Sequence, residues 1–381
     1  MAEKLIRLYE EFGQSMWYDN ISREELNSGE IQRLVDEGIR GLTSNPSIFQ
    51  KAISSGSAYD EQFASLAGQE LDAVEMYEAL AIQDIRAAAD ILRPVYDSSG
   101  GTDGFVSLEV SPLLANDTQG TTEEAARLFE AVDRPNLMIK IPATDAGLPA
   151  IEESIASGIN INVTLLFARD MYARVMDAYI RGLQRRVEAG LDVSGLASVA
   201  SFFVSRVDTL VDDLLDEKIA QASSPAREEE LRALKGKAGI ANAKLAYQLF
   251  VDRFGRDDFK ALAEQHGAHI QRLLWGSTST KNPDYSDVLY VDNLIGPNTV
   301  NTAPPETIEA FIDHGRLANT LGQGVDEANE VMARLAGAGI DIDWVTDELL
   351  QQGIDKFARP FNALISSIEE KARTVAGTTA D

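Results

Sequence analysis

The sequence predicts an α/β protein, a (β/α)8 barrel (TIM barrel) with extra helices. Short apolar segments alternate with longer segments of helical periodicity, which is typical of parallel βα units. Eight such apolar segments occur, and eight is the number of strands in this barrel. The chain of 381 residues has room for one barrel with insertions, and no linker or repeat divides it. We therefore expect one domain over residues 1–381.

The elements follow in order from this pattern. The predicted strands are Ser15–Asp19, Ile39–Asn45, Gly104–Val110, Leu137–Ile141, Gly158–Leu165, Leu196–Phe203, Arg272–Ser277 and Thr299–Thr302. The predicted helices are Arg23–Glu37, Asp72–Arg93, Thr122–Val132, Arg169–Ala189 and Pro225–Phe254, with one or two more in Asp343–Val375. Residues 278–298, rich in Pro, Gly, Asn and Asp, are expected to form a loop that helps to close a ligand site, and residues 377–381 are expected to fray.

Composition excludes several classes of function. The chain has no cysteine, which rules out disulfides and thiolate metal sites, and we expect neither a metal nor a cofactor. Its three histidines, His266, His269 and His314, lie outside every segment that has a catalytic pattern. A Ser-His or Cys-His mechanism is therefore not indicated.

The formal net charge is −27, with a sequence pI near 4.5. Such a surface repels nucleic acid and anionic membranes, so we expect neither as a partner. An anionic ligand would need locally concentrated Arg or Lys. The N-terminus has no apolar signal region and no segment is long enough to cross a bilayer, so we expect a cytoplasmic protein.

Lys140 is the main chemical clue. It interrupts the apolar run from Leu137 to Ile141, in which Leu137, Ile139 and Ile141 share one face and Lys140 takes the other. A buried ammonium without a partner tends to lose its proton, and a neutral amine attacks carbonyl carbon to form a Schiff base. The alternative is a lysine that extends along an aliphatic stem to solvent.

Neighbouring strands alternate in the same way. The polar residues take the face opposite the apolar ones, towards the C-terminal ends of the strands; they are Asp19, Thr43, Asn45, Ser107, Glu109, Asn162 and Thr164. One such strand alone would fit a half-exposed antiparallel strand. Several together, among helix-covered parallel strands, predict a shared polar cavity at the end where such barrels bind ligands.

The two carboxylates of this set bear on Lys140. Placed beside it, Asp19 and Glu109 would favour the charged amine and oppose the effect of burial. Either burial outweighs them or a carboxylate accepts the amine proton during attack. We expect Glu109 to contribute, directly or through a bound water.

Several segments resemble the transaldolase family. Residues 41–47, GLTSNPS, resemble its Thr-x-Asn-Pro-Ser signature after the second strand, and residues 138–147, MIKIPATDAG, resemble the signature around its Schiff-base lysine. Residues 160–167 are similar to its Asn-x-Thr-Leu-Leu-Phe strand, and residues 14–20 to the start of its longer bacterial branch. The resemblance runs from about residue 10 to the C-terminus.

The resemblance implies a circularly permuted barrel of the class I aldolase type, with Lys140 on the fourth strand. It implies transfer of a dihydroxyacetone unit between sugar phosphates in the pentose phosphate pathway. Lys140 would form the Schiff base, Asp19 would take the proton of the donor C4 hydroxyl, and Glu109 with Thr164 and a water would carry protons. Asn45 and Asn162 would hold the dihydroxyacetone hydroxyls, and further residues would line the site: Thr43, Ser107, Ser201 and Phe203.

The resemblance also implies a phosphate site at Arg206, which would follow the sixth strand. Short-chain members of the family carry a Ser-x-Arg element after the seventh strand, whereas this chain has Ser277 with no arginine after it. Lys281 is expected to take that role.

Two alternatives stay open: a fructose 6-phosphate aldolase, against which Glu109 argues, and a sugar-phosphate-binding barrel without activity. The sequence does not distinguish a monomer from a homodimer.

Overall fold

Eight parallel strands close into a barrel in chain order, each strand pairing with the next and the last with the first. The computed structural model describes residues 2–378. The strands are β1 Gln14–Tyr18, β2 Leu42–Thr43, β3 Val106–Glu109, β4 Leu137–Pro142, β5 Ile161–Leu166, β6 Ser198–Phe203, β7 Gln271–Gly276 and β8 Thr299–Ala303. The (β/α)8 prediction is confirmed, and Lys140 lies on the fourth strand.

Helices surround this barrel. In the first half of the chain they are α1 Ala2–Phe12, α2 Arg23–Ser28, α3 Glu30–Asp36, α4 Pro46–Ser54, α5 Asp60–Ala67, α6 Ala73–Ser98, α7 Thr118–Val132 and α8 Gly147–Ala156. The second half contributes α9 Arg169–Glu188, α10 Ser205–Ala220, α11 Pro225–Arg232, α12 Ala238–Phe254, α13 Asp257–His266, α14 Leu289–Asn293, α15 Pro305–His314, α16 Val325–Gly337 and α17 Ile342–Thr378. A 3₁₀ turn covers Pro112–Leu114.

The second strand is much shorter than the sequence predicts. Asn45, placed at the end of a strand by the apolar pattern, instead caps α4: its side chain accepts a hydrogen bond from the Ile48 N–H at 3.0 Å. Pro46 occupies the first position of the helix, where its fixed φ and missing N–H are tolerated. The Asn-Pro pair therefore ends the strand and starts the helix.

Two predicted helices are each divided in two. Arg23–Glu37 breaks at Gly29, which has φ +80° and both ends α2 and begins α3. A left-handed residue ends a helix, and glycine adopts it without steric cost. Pro225–Phe254 breaks between α11 and α12, at residues 233–237. The C-terminal stretch, by contrast, is one helix, α17, which continues through Pro360.

Residues 278–298 are not only a loop. They include α14 and bury the side chains of Tyr290, Val291, Leu294 and Ile295. The Tyr285 hydroxyl donates to the Asp212 carboxylate of α10 at 2.5 Å. Of the terminal residues predicted to fray, 377 and 378 belong to α17, and 379–381 lie outside the described part of the chain.

The barrel interior is apolar in the half nearer the N-terminal ends of the strands. Trp17, Phe105, Met138, Val199, Leu274 and Val300 pack together there. Leu137, Ile139 and Ile141 lie on the other face of β4, in the core between strands and helices, so the predicted alternation of this strand is confirmed. Within residues 2–378, no helix combines the length and apolarity needed to span a membrane.

Candidate active site

A cavity of about 430 Å³ opens at the C-terminal ends of the strands. Its lining brings together ten of the residues singled out from the sequence: Asp19, Thr43, Asn45, Lys140, Thr164, Ser201, Phe203, Arg206, Ser277 and Lys281. They follow or end six different strands and are far apart in sequence. The closed barrel places them around one space because the ends of its parallel strands meet on one face.

Lys140 lies deep in this cavity and has two polar partners. Its residue surface is 5% exposed, and its Nζ donates to the Ser44 carbonyl at 2.9 Å. The Glu109 Oε2 lies 3.2 Å from the same Nζ. The lysine does not extend to solvent, and its partner is one of the two carboxylates that the strand pattern places beside it.

Glu109 stands beside Lys140 in the paired register of β3 and β4. Its side chain is 5% exposed. Burial raises the pKa of Glu109, and the lysine charge opposes this only in part. A carboxylate of raised pKa is better suited to accept a proton from the amine.

Asp19 lies on the other side of the cavity. The Thr43 hydroxyl donates to its Oδ1 at 2.6 Å, and the Thr302 hydroxyl lies 2.7 Å from that of Thr43. Burial raises the pKa of Asp19 despite this hydrogen bond and the nearby charges of Lys140, Arg206 and Lys281. Asp19 thus lines the cavity that contains Lys140 as a carboxylate of raised pKa, whereas Glu109 contacts Lys140 from outside the cavity lining.

Two predicted binding residues lie beneath the cavity surface. Ser201 Oγ donates to Asn162 Oδ1 at 2.7 Å, and Asn162 Nδ2 donates to Ser107 Oγ at 3.0 Å. Asn162 and Ser107 are fully buried and do not line the cavity, so a contact of either with a ligand stays a prediction. Thr164 does line it, and its buried Oγ1 has no hydrogen-bond partner among residues 2–378.

The far end of the cavity is cationic. The Arg206 guanidinium stacks over the Phe203 ring at 5.1 Å, and its buried Nη1 has no hydrogen-bond partner in the described chain. Burial lowers the pKa of Arg206. The hydroxyl of Ser277 lies 2.9 Å from the hydroxyl of Ser205, the residue before Arg206. Lys281 Nζ donates to the Ser279 hydroxyl at 2.6 Å. An arginine with an unused donor, at the start of α10, suits an anionic group such as phosphate.

Several lining residues are not among those predicted from the sequence. Thr302 lies on the same face of β8 as interior Val300, so the period-2 pattern of this strand is a signal for it. Ser47 and Lys51 come from α4, just after the Asn-Pro pair. Phe357 comes from α17, and no sequence pattern brings a C-terminal helix to this cavity.

The histidines take no part in the cavity lining. Among residues 2–378, no three His, Asp or Glu side chains are grouped as they would be around a metal ion.

Comparison with known proteins gives a consistent result. The family model described as Transaldolase/Fructose-6-phosphate aldolase matches residues 16–368. The chain is 51% identical over 367 residues to Transaldolase 2 of Nostoc sp., covering 95% of this chain and 96% of that protein. It is 49% identical over 367 residues to Transaldolase of Trichodesmium erythraeum, with 96% of each covered. It is 46% identical over 378 residues to Transaldolase 2 of Streptomyces coelicolor, with 99% of each covered. The chain therefore belongs to the transaldolase/fructose-6-phosphate aldolase family.

Proposed function

We propose that this protein is a transaldolase that moves a dihydroxyacetone unit through a Schiff base on Lys140. The donor is a ketose phosphate, sedoheptulose 7-phosphate or fructose 6-phosphate, and the acceptor is an aldose phosphate, glyceraldehyde 3-phosphate or erythrose 4-phosphate. These exchanges belong to the pentose phosphate pathway. The observation that carries the proposal is one cavity that contains Lys140, with the Glu109 carboxylate 3.2 Å from its Nζ, and Arg206, which has a buried donor without a partner among residues 2–378.

The donor binds with its phosphate at Arg206, Ser277 and Lys281. This arrangement sets the distance between phosphate and carbonyl, so that C2 lies near Lys140. The Asn45 cap uses its side-chain oxygen, which leaves the amide N–H groups for a sugar hydroxyl. Binding energy from the phosphate thereby orients the reacting carbon.

Covalent chemistry starts when Lys140 gives a proton to Glu109 and its Nζ attacks C2. The carbinolamine then loses its oxygen as water, with the proton returned by Glu109, and a protonated imine remains. Thr164, whose hydroxyl has no partner in the described chain, assists by holding the water between Glu109 and the substrate. This is general acid–base catalysis by a carboxyl group of raised pKa.

Carbon–carbon cleavage follows on the other side of the cavity. Asp19 takes the proton of the C4 hydroxyl, the C3–C4 bond breaks, and its electron pair moves into the imine to give an enamine. The shortened aldose phosphate leaves. The enamine carbon adds to the acceptor carbonyl, Asp19 returns the proton, and imine hydrolysis frees the product.

Borohydride reduction tests the Schiff base directly. Incubation with fructose 6-phosphate and borohydride should add one reduced three- or six-carbon unit to the chain, located at Lys140 by peptide mass spectrometry. Lys140→Ala should give no adduct. Lys51→Ala, which removes another lysine of the same cavity, should still give it. No adduct in the unaltered protein, or an adduct in Lys140→Ala, would refute the proposal.

An acceptor assay separates transfer from simple cleavage. Fructose 6-phosphate and erythrose 4-phosphate together should give sedoheptulose 7-phosphate, while fructose 6-phosphate alone should release little dihydroxyacetone. Full-rate release without an acceptor would instead identify a fructose 6-phosphate aldolase. Formation of either product, sedoheptulose 7-phosphate or dihydroxyacetone, would exclude a barrel that only binds sugar phosphates.

We further propose a cytoplasmic location, with sugar phosphates as the ligands. The net charge of −27 opposes binding to nucleic acid or anionic membranes. A monomer or a homodimer stays the prediction for the oligomeric state.

A further inference from the structure

Phe357, on the C-terminal helix α17, is part of the catalytic cavity. It lines the cavity together with Lys140, and its ring centroid lies 5.8 Å from the Lys140 Nζ. The residue is only 5% exposed and packs in an apolar cluster with Leu165, Phe203 and Leu349. An aromatic ring therefore covers the amine that forms the Schiff base.

The fold fixes this ring through an unusual contact one helical turn earlier. The register between β5 and β6 shifts between Val163 and Leu166, and Leu165 takes a left-handed φ of +57°. Its side chain consequently packs among the residues of α17 rather than in the core of the other strands. Gly353 meets it so closely that an added Cβ would lie 2.8 Å from Leu165 Cδ2. A larger residue at this position would require the Leu165 side chain to move, and Phe357, four residues later, is on the same helix face.

The ring has a chemical consequence for a reaction that pauses. After the first aldose leaves, the enamine on Lys140 must persist until the acceptor arrives. Water can divert it: the enamine carbon takes a proton, water adds to C2 of the resulting imine, and the C2–N bond breaks to release dihydroxyacetone and the free amine. Phe357 offers no hydrogen bond to such a water and occupies space beside the nitrogen. Its π face also favours a cationic nitrogen.

Resting on the function proposed above, we propose that Phe357 shields the Lys140 Schiff base from water and so keeps the three-carbon unit for transfer. It is a determinant of reaction specificity, since the same covalent intermediate serves both outcomes. A ring that only filled the core would leave the partition between transfer and release unchanged. A shielding ring sets that partition.

The test compares two products from the same enzyme. Dihydroxyacetone release from fructose 6-phosphate alone is measured against sedoheptulose 7-phosphate formation when erythrose 4-phosphate is added. Phe357→Ala should raise the ratio of release to transfer about tenfold, which corresponds to a change of roughly 1.4 kcal/mol in relative barriers. Phe357→Leu, which keeps apolar bulk, should stay near the unaltered protein. Phe357→Tyr keeps the ring but adds a hydroxyl that can hold water, so its ratio should also rise.

Leu349→Ala is the matched structural control. Leu349 is on the same helix and in the same apolar cluster, is 3% exposed, and does not line the catalytic cavity. It should lower the thermal midpoint without changing the ratio. An unchanged ratio in both Phe357→Ala and Phe357→Tyr would overturn the inference, and so would an equal rise in Leu349→Ala. Absence of sedoheptulose 7-phosphate from the unaltered protein would instead refute the proposed function.

Discussion

At the scale of single residues, the protonation of the Lys140–Glu109 pair controls the nucleophile. The two groups lie 3.2 Å apart and both are nearly inaccessible to solvent. Burial penalises the charged form of Glu109, whereas the attraction of the lysine favours it. Moving one proton from the amine to the carboxylate neutralises both. The pair can thus deliver an unprotonated amine without exchanging a proton with solvent.

Replacement of this carboxylate gives the first prediction. Glu109→Gln should lower kcat by about 100- to 10,000-fold, because the amide cannot accept the lysine proton. The KM should change little, since the phosphate site is intact. Steady-state kinetics measure both. Glu124→Gln is the control: burial also raises the pKa of Glu124, but its carboxylate accepts the Ser111 N–H at 2.9 Å and is not paired with Lys140, so kcat should be kept.

The same pair predicts the pH dependence. Burial raises the pKa of Glu109 above the ordinary 4.5 of a glutamate, so the carboxyl stays protonated to a higher pH and cannot then accept the amine proton. The rate of the unaltered enzyme should therefore fall on acidification with a midpoint above 4.5. Glu109→Gln should lose this acidic limb. A limb that survives in Glu109→Gln would assign it to another group, such as Asp19.

Arg206 gives a third prediction at this scale. Arg206→Ala should raise the KM for fructose 6-phosphate about 10- to 100-fold, the usual effect of losing hydrogen bonds to a charged group. Arg206→Lys should recover only part of this, because an ammonium lacks the planar fork that matches phosphate. Cleavage of unphosphorylated fructose should be nearly unaffected by either change. An equal loss with both sugars would contradict a phosphate role.

At the scale of elements, strands and helices differ in what their sequence reveals. Period-2 alternation in β3, β4 and β5 predicts which side chains face the interior, because helices cover the opposite face of each strand. No comparable rule places a helix residue in a distant cavity. Phe357 lies one helical turn after the Leu165–Gly353 contact, which joins β5 to α17 across nearly half of the chain. Capping and turn residues also end elements that the apolar pattern alone would continue, as Asn45 does for β2 and Gly29 for α2.

The attachment of residues 278–298 to α10 gives the fourth prediction. Asp208 and Asp212, one helical turn apart, face Tyr290 and Tyr285 of that segment, and Asp208 also accepts the Gly239 N–H at 2.8 Å. Burial raises the pKa of Asp208 to about 6. Because the folded pKa of Asp208 lies above the ordinary 3.8, protonated Asp208 stabilises the folded state. This contribution to the free energy of unfolding is full below pH 3.8 and is lost as pH rises through about 6.

Asp208→Asn keeps an acceptor for Gly239 and cannot ionise. Measured relative to the unaltered protein, its free energy of unfolding should therefore be higher at pH 8 than at pH 5 by about 1.4 kcal/mol, because pH 5 lies about one unit below the folded pKa of about 6. Urea unfolding of both proteins at both pH values gives the change in unfolding free energy caused by the substitution at each pH. Comparing the two changes cancels the effects of other titrating groups. A difference that is zero or of opposite sign would show that Asp208 is not protonated preferentially in the folded state.

At the scale of the whole molecule, an acidic protein carries a cluster of positive charge at its candidate active site. The net charge is −27, yet Arg206, Lys281 and Lys51 line one cavity and Lys356 lies near Arg206. Within a Debye length of about 8 Å at physiological salt, such a cluster acts locally while the distant acidic surface is screened. The acidity of the chain is therefore compatible with anionic ligands at this site.

The opposite end of the barrel gives the last prediction. Asp103, 1% exposed, accepts hydrogen bonds from Ser15, Trp17 and Arg40 at 2.5, 2.9 and 2.8 Å, and Arg272 lies 3.6 Å away. This network ties together the starts of β1 and β7 and the segments before β2 and β3. Ligands bind at the other end of such barrels, so the network should serve stability and not catalysis.

Asp103→Ala should therefore lower the free energy of unfolding by about 3–5 kcal/mol, because it leaves two partly buried arginine charges and the buried Ser15 and Trp17 donors without their partner. The kcat of the folded protein should stay unchanged. The exposed Arg93–Asp97 pair supplies the control, since Asp97→Ala should cost at most about 0.5 kcal/mol. Urea unfolding and steady-state kinetics on the same preparations separate the two effects. A fall in kcat without loss of stability would mean that the two ends of the barrel are coupled.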